Sequence, residues 1–206
     1  MNVTNTAALT VTGELALARV TPAGETAARY TALRMGNVVV TGGLDAGFDV
    51  GLSATITVAA LDLNQAVAPH TRLDWNKAFD FNGDNTPDIL DPGVELPQPR
   101  MLPIDLDATS QLRLAGTLTG TGANNAFITA GNISITGSAG FALVRRTVDV
   151  DTDGNGSADL LGATLDSLAL TVDGVGVVFT NTANLTVSGE LALARVTAAG
   201  ETTARY

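Results

Sequence analysis

Residues 4–30 and 180–206 carry nearly the same sequence: TNTAALTVTGELALARVTPAGETAARY in the first copy, TNTANLTVSGELALARVTAAGETTARY in the second. Of the 27 aligned positions 23 are identical; the exceptions pair Ala8 with Asn184, Thr12 with Ser188, Pro22 with Ala198 and Ala27 with Thr203. Self-similarity at a fixed offset is the mark of an array. The two starts, 4 and 180, set the period at 176 residues, the size of a domain and not of a solenoid coil. The expected organisation is one full repeat unit, 4–179, followed by the start of the next, 180–206, within a longer parent chain. The competing organisation is a single domain with duplicated terminal hairpins.

Residue periodicity says what each unit folds into. Leu9, Val11, Leu15 and Leu17 share one parity, and Thr10, Thr12 and Glu14 the other, which predicts a strand with its leucine face buried. Thr21-Pro22-Ala23-Gly24 then supplies turn chemistry. Strand patterning continues through 26–41 and 47–61; Ala, Arg and Leu over 25–35 also suit a helix, but strand or irregular structure is the expectation there. After Gln111 it resumes in 112–120, 125–137, 140–150, 159–172 and 174–179, with Gly-containing turns predicted about every ten residues. Abundant Thr and Val favour pleated strands. The expected class is all-β, a sandwich or a wide solenoid-like repeat module. No low-complexity spacer separates the copies, so the units are expected to abut in a stiff array.

The stretch 62–110 breaks this pattern. It holds six of the seven prolines (69, 87, 92, 97, 99 and 103), together with the only Trp, Lys and His, at 75, 77 and 70. Proline cannot donate to a ladder, so a long ordered loop or side module is predicted. Loops of such length inside a compact domain usually carry function. Trp75 and Phe79 either pin this loop to the core or form an exposed binding patch.

Charge and composition exclude several classes. With 11 basic and 21 acidic residues the net charge is −10, which repels phosphate backbones, and no basic stripe opposes it; nucleic acid is not an expected partner. The sequence has no apolar run long enough to insert in a membrane. Residues 1–20 lack the basic and uninterrupted apolar regions of a signal peptide. Zero cysteine removes disulfides and thiolate chemistry. His70, the only histidine, sits in Ala-Pro-His-Thr and reads as a solvated loop residue, so no catalytic residue is assigned and the chain is not read as an enzyme.

Two aspartate-rich loops carry the chemistry. The first runs Asp80-Phe-Asn82-Gly-Asp84-Asn-Thr-Pro-Asp88-Ile-Leu-Asp91, the second Asp149-Val-Asp151-Thr-Asp153-Gly-Asn155-Gly-Ser-Ala-Asp159. On a common frame Asp80, Asn82, Asp84 and Asp88 match Asp151, Asp153, Asn155 and Asp159 at positions 1, 3, 5 and 9. Oxygens so spaced converge on one hard cation when the chain curls, and Ca²⁺ takes about six to eight of them. Gly156 supplies the sharp turn at position 6; Asn85, which tolerates positive φ, takes its place in the first loop. Four carboxylates in eleven residues, Asp149 to Asp159, with no basic partner after Arg146, repel one another, and one Ca²⁺ would relieve that repulsion. The expected ligands are Asp80, Asn82, Asp84, Asp88 and Asp91 in one loop and Asp149, Asp151, Asp153, Asn155 and Asp159 in the other. A metal-free Asx turn is the plainer reading of the same residues.

Position 12 is Asp91 or Gly162 instead of the glutamate of an EF-hand, and the flanks read as strand. Both loops resemble the DxNGDGxxD and DxDGDGxxD loops that join strands in FG-GAP and integrin-type β repeats. On a larger scale, LDWNKAFDFNGDNTPDILDPGVELPQPRMLPIDL and GSAGFALVRRTVDVDTDGNGSADLLGATLDSLALTV resemble the repeat units of giant tandem-repeat bacterial surface or secreted proteins, akin in style to calcium-dependent adhesins. That resemblance implies an extracellular or cell-surface location and an array architecture. The expected function is a calcium-stiffened structural or adhesive module. Its partners are neighbouring repeats or identical chains head to tail, in a fibre, surface layer or matrix. The alternative is a module that binds carbohydrate, a cell surface or another ligand through the Trp75 loop.

Overall fold

The computed structural model describes residues 6–45, 50–130, 133–179 and 183–203. Residues 4 and 5 of the first repeat copy, the start of the strand expected at 47–61, and residues 180–182 and 204–206 of the second copy lie outside the described residues. The fold is all-β. Its strands are β1 (Thr6–Val20), β2 (Tyr30–Asp45), β3 (Val50–Ala66), β4 (Ser110–Gly120), β5 (Ala126–Ala130), β6 (Ile133–Val150), β7 (Leu160–Phe179) and β8 (Ala183–Thr197). They form one open antiparallel sheet in the order β1-β2-β3-β4-β6-β7-β8, with β5 in line with β4 between β3 and β6. The two edges are β1 and β8. Among the described residues no helix is long and apolar enough to cross a membrane.

The segment 25–35 is a bend followed by strand, as expected, but the strands are longer than the glycine spacing predicts. Six of them run 15 to 20 residues, about 50–65 Å. Glycines expected to end strands sit instead in bulges within them. β6 passes through Gly137 at φ 118°, opposite a slip in which Thr136 and Ser138 face Gly176 and Asp173 of β7. A Cβ on Gly137 would lie 2.7 Å from the Gly174 carbonyl oxygen, so only glycine fits there.

Leucine parity misidentifies the buried face. Leu15 and Leu17 are 54% and 51% exposed, whereas Ala16 between them is 2% exposed. The register carries the leucine parity across the sheet in rows, one of which runs Leu15, Met35, Leu61, Leu114, Leu143, Leu168, Leu193. The opposite face is covered near β1–β3 by residues 67–109. Trp75, Ile104 and Leu106 of that module pack on Ala16 and Ala32, with Leu73, Phe79, Leu90 and Leu102 around them. Small residues on the sheet make room for large ones on the cover, which is why the alanines and not the leucines are buried.

The covered face also buries polar groups. Asn64 of β3 is 1% exposed; its Oδ1 accepts from Trp75 Nε1 (3.0 Å), and its Nδ2 donates to the Leu73 and Asp107 carbonyls (2.9 Å each). Asp62 lies between Arg34 (3.6 Å) and Arg113 (3.7 Å), and Arg34 also pairs with Asp105. Burial pushes the Asp62 carboxyl above its ordinary range, against the pull of the two arginines.

Candidate metal-binding loops

Sheet direction fixes the end of the sheet at which the second aspartate loop lies. β3 ends at Ala66 where the chain leaves for the covering module, and β6 and β7 are joined at the same end by Asp151–Asp159. The first loop projects from the module, between the bridge partners Phe79 and Asp88.

The two loops share one hydrogen-bond frame despite different sequences. At position 1, Asp80 Oδ1 accepts from Gly83 N and Asp151 Oδ1 from Gly154 N, both at 2.7 Å. The other oxygen of each accepts from position 6, Asn85 N at 3.0 Å and Gly156 N at 2.7 Å. Position 3 accepts from position 5 (Asn82 from Asp84 N, 2.9 Å; Asp153 from Asn155 N, 3.0 Å), and position 5 from position 7 (Thr86 N and Ser157 N, 2.8 Å each). Position 9 closes the loop: Asp88 Oδ2 accepts from Phe81 N and Asp159 Oδ2 from Thr152 N, both at 2.7 Å. Backbone φ agrees too, 76° at Gly83 and Gly154, 65° at Asn85 and 89° at Gly156. The positive φ demanded at position 6 explains why Asn stands in for Gly in the first loop.

In the second loop Asp151, Asp153 and Asp159 bring one carboxylate oxygen each within 4.8 Å of one another, all exposed. The matching positions of the first loop hold only two carboxylates, Asp80 and Asp88, with an amide at Asn82. Hydrogen bonds lower the carboxyls of Asp151, Asp159 and Asp84. The Gly156 amide is the main cause that lowers the Asp151 carboxyl below its ordinary range, the Thr152 hydroxyl does so for Asp159, and the Thr86 hydroxyl for Asp84. Clustered, exposed carboxylate oxygens of this kind suit a hard cation.

Two expected ligands stand outside these frames. Asp91 Oδ1 accepts from Gly93 N and Leu102 N (2.9 Å each) and caps the 3₁₀ turn Pro92–Glu95. Asp149 Oδ1 accepts from Gly162 N (2.7 Å) at the base of the β6–β7 hairpin. The residues sequence reasoning passed over are Asn64 and the row Arg34, Asp62, Arg113, which line an open polar groove of about 380 Å³ with Asp105. Their signal was an inward parity carrying alternating charge. His70 is exposed, its ring centroid 6.3 Å from that of Tyr30. Trp75 is fully buried, 5.7 Å from Phe79, which stacks in turn on the exposed Phe81 at 5.3 Å. Comparison with protein-family models, curated proteins and solved structures finds no match to this chain.

Proposed function

We propose that this chain is a non-catalytic structural module of a tandem array outside a bacterial cell, stiffened by Ca²⁺ in its aspartate loops. The observation that carries the reading is that the two edges of a single sheet are copies of one strand, β1 and β8. Such a unit is built to be continued at either side, as a wide solenoid-like ribbon, and not to close on itself. Calcium adds rigidity where it matters. Bound at Asp151, Asp153, Asn155 and Asp159, it ties the β6–β7 hairpin; at Asp80, Asn82, Asp84 and Asp88 it ties the covering module. A ribbon of such units carries a row of β6–β7 metal loops along one rim. The carbohydrate-binding alternative gains no support from Trp75, whose ring is closed off by Asn64 and Ile104.

Calorimetry of the full chain tests the cation. Extracellular sites bind with Kd near 10⁻⁴–10⁻³ M. At a hundredfold excess over Kd the linkage is about 2.7 kcal/mol, which raises Tm by roughly 5–10 °C. Asp151→Asn removes the shift contributed by the second loop. Identical melting in calcium and in chelator contradicts the metal assignment.

A further inference from the structure

We infer that β1 is a shared strand: its outer edge is the docking site for β7 of the preceding copy of the unit, so that one sheet runs through the array without a break. The inference rests on the array reading above and specifies its junction. Four observations support it.

The junction is already visible once within this chain. β8, the copy of β1, pairs with β7 from Thr164↔Thr197 to Phe179↔Ala183. Moved back by the period of 176, the same register sets β7 of the preceding unit against Thr21 through Ala7, all of β1 but Thr6. Of the four sequence differences, Ala8/Asn184 and Thr12/Ser188 lie within this span and leave every backbone donor in place. Pro22/Ala198 and Ala27/Thr203 lie beyond it, so the proline removes no ladder donor, and the turn that follows is the same in both copies: Glu25 N donates to the Pro22 carbonyl, and Glu201 N to that of Ala198, each at 3.1 Å.

Side-chain chemistry transfers as well. Arg195 Nη2 donates to Asp166 Oδ2 at 2.9 Å, and its counterpart Arg19 is exposed with no ion pair among the described residues. Ser188 Oγ accepts from Gly174 N at the β7 bulge (3.0 Å), and its counterpart Thr12 retains the hydroxyl. Face parity closes too. A row that leaves β1 at Leu15 arrives on β8 at Leu193, the counterpart of Leu17. The shift per unit is two residues. An odd shift would turn every second unit over; an even one gives all units the same leucine face and the same covered face. Finally, an edge of 15 residues with Val11, Leu15 and Leu17 exposed carries neither Lys nor Pro, two of the usual guards against pairing.

The test compares the full chain with a tandem chain in which residues 1–206 continue directly into a second copy of 31–203. Amide hydrogen exchange is read over 183–197. Alternate amides of this strand face β7 and the other side. In the single chain the second set is open to water and exchanges fast; in the tandem chain it is expected to slow by about 100-fold or more as the second unit's β2 joins, while the β7-facing set stays protected. Fast exchange of either set in the tandem chain overturns the inference. The strand would then serve one unit or the other, not both. Because the protein has no cysteine, a second readout is clean: Ser167→Cys with Ala194→Cys, opposite each other in the register, closes a disulfide in the tandem chain as in the single one. Failure to close it only in the tandem chain also overturns the shared strand. Units stacked by face packing instead leave the array reading standing while this junction fails.

Discussion

Replacing Asn64 by alanine is the sharpest probe of how the covering module is held to the sheet. The amide makes three hydrogen bonds at a site 1% exposed, one from the Trp75 indole and two to the carbonyls of Leu73 and Asp107. Asn64→Ala removes one donor group and one acceptor and leaves three partners without them. A buried polar group left unsatisfied costs about 1–3 kcal/mol, and water entering the vacated space recovers part of it. The net loss is therefore about 3–5 kcal/mol, a large share of the roughly 5–15 kcal/mol that holds a domain together. Trp75 is the only tryptophan and is fully buried beside this amide, so its emission reports the site alone. Urea unfolding followed by Trp emission is expected to shift to lower denaturant by that amount. Far-UV circular dichroism, dominated by the sheet, is expected to follow at higher urea if the module detaches first. A variant within about 1 kcal/mol of the parent, with unshifted emission, would refute the account of the module's attachment.

Trp75→Phe keeps the packing on Ala16 and Ala32 but drops the bond to Asn64, and is expected to cost about 1–3 kcal/mol in thermal unfolding. Leu17→Ser on the open face is expected to change stability by less than about 1 kcal/mol, whereas Ala32→Leu under the module overpacks and costs about 1–3 kcal/mol; the reverse ranking in chemical unfolding means that the leucine face is the covered one. Hydrogen bonding from Arg145 (2.5 Å), aided by Arg195, holds the Asp166 carboxyl below its ordinary value near 3.8. A lowered carboxyl contributes stability that is present above the unfolded value and lost as pH falls below it through the folded value. Asp166→Asn is accordingly expected to cost about 1 kcal/mol at pH 7 and progressively less as pH drops below 3.8, read from urea midpoints across that range.

Much of the fold could be read in the sequence because its signals are local. Although β3 runs on through 62–66, where the module was expected to begin, period-two alternation, β-branched content and the prolines after Ala66 mark strands and module, since each signal acts through the residue's own backbone. The aspartate frames were legible for the same reason: positions 1, 3, 5 and 9 bond to amides within a few residues, so spacing alone determines them. What escaped was set by partners distant in sequence. Gly137 and Gly174 look like turn residues until the opposing strand shows that they relieve bulges. Leu15 and Leu17 look like core until Trp75, Ile104 and Leu106 are found over the alanines. Asp91 and Asp149 belong to acidic runs, yet the amides they meet, at Gly93, Leu102 and Gly162, take them out of the loops.

On the proposed reading these units form one stiff ribbon, and calcium stiffens it. Six strands, β1 to β4 with β6 and β7, advance the sheet per unit, about 29 Å at the ordinary spacing between neighbouring strands. Small-angle scattering from chains of four, six and eight units, whose length exceeds the 15- to 20-residue strands, in calcium and in chelator, measures this directly. In calcium the maximum dimension is predicted to grow linearly, by about 29 Å for each added unit, with greater flexibility in chelator. Growth with the square root of unit number, the same in both conditions, would contradict it.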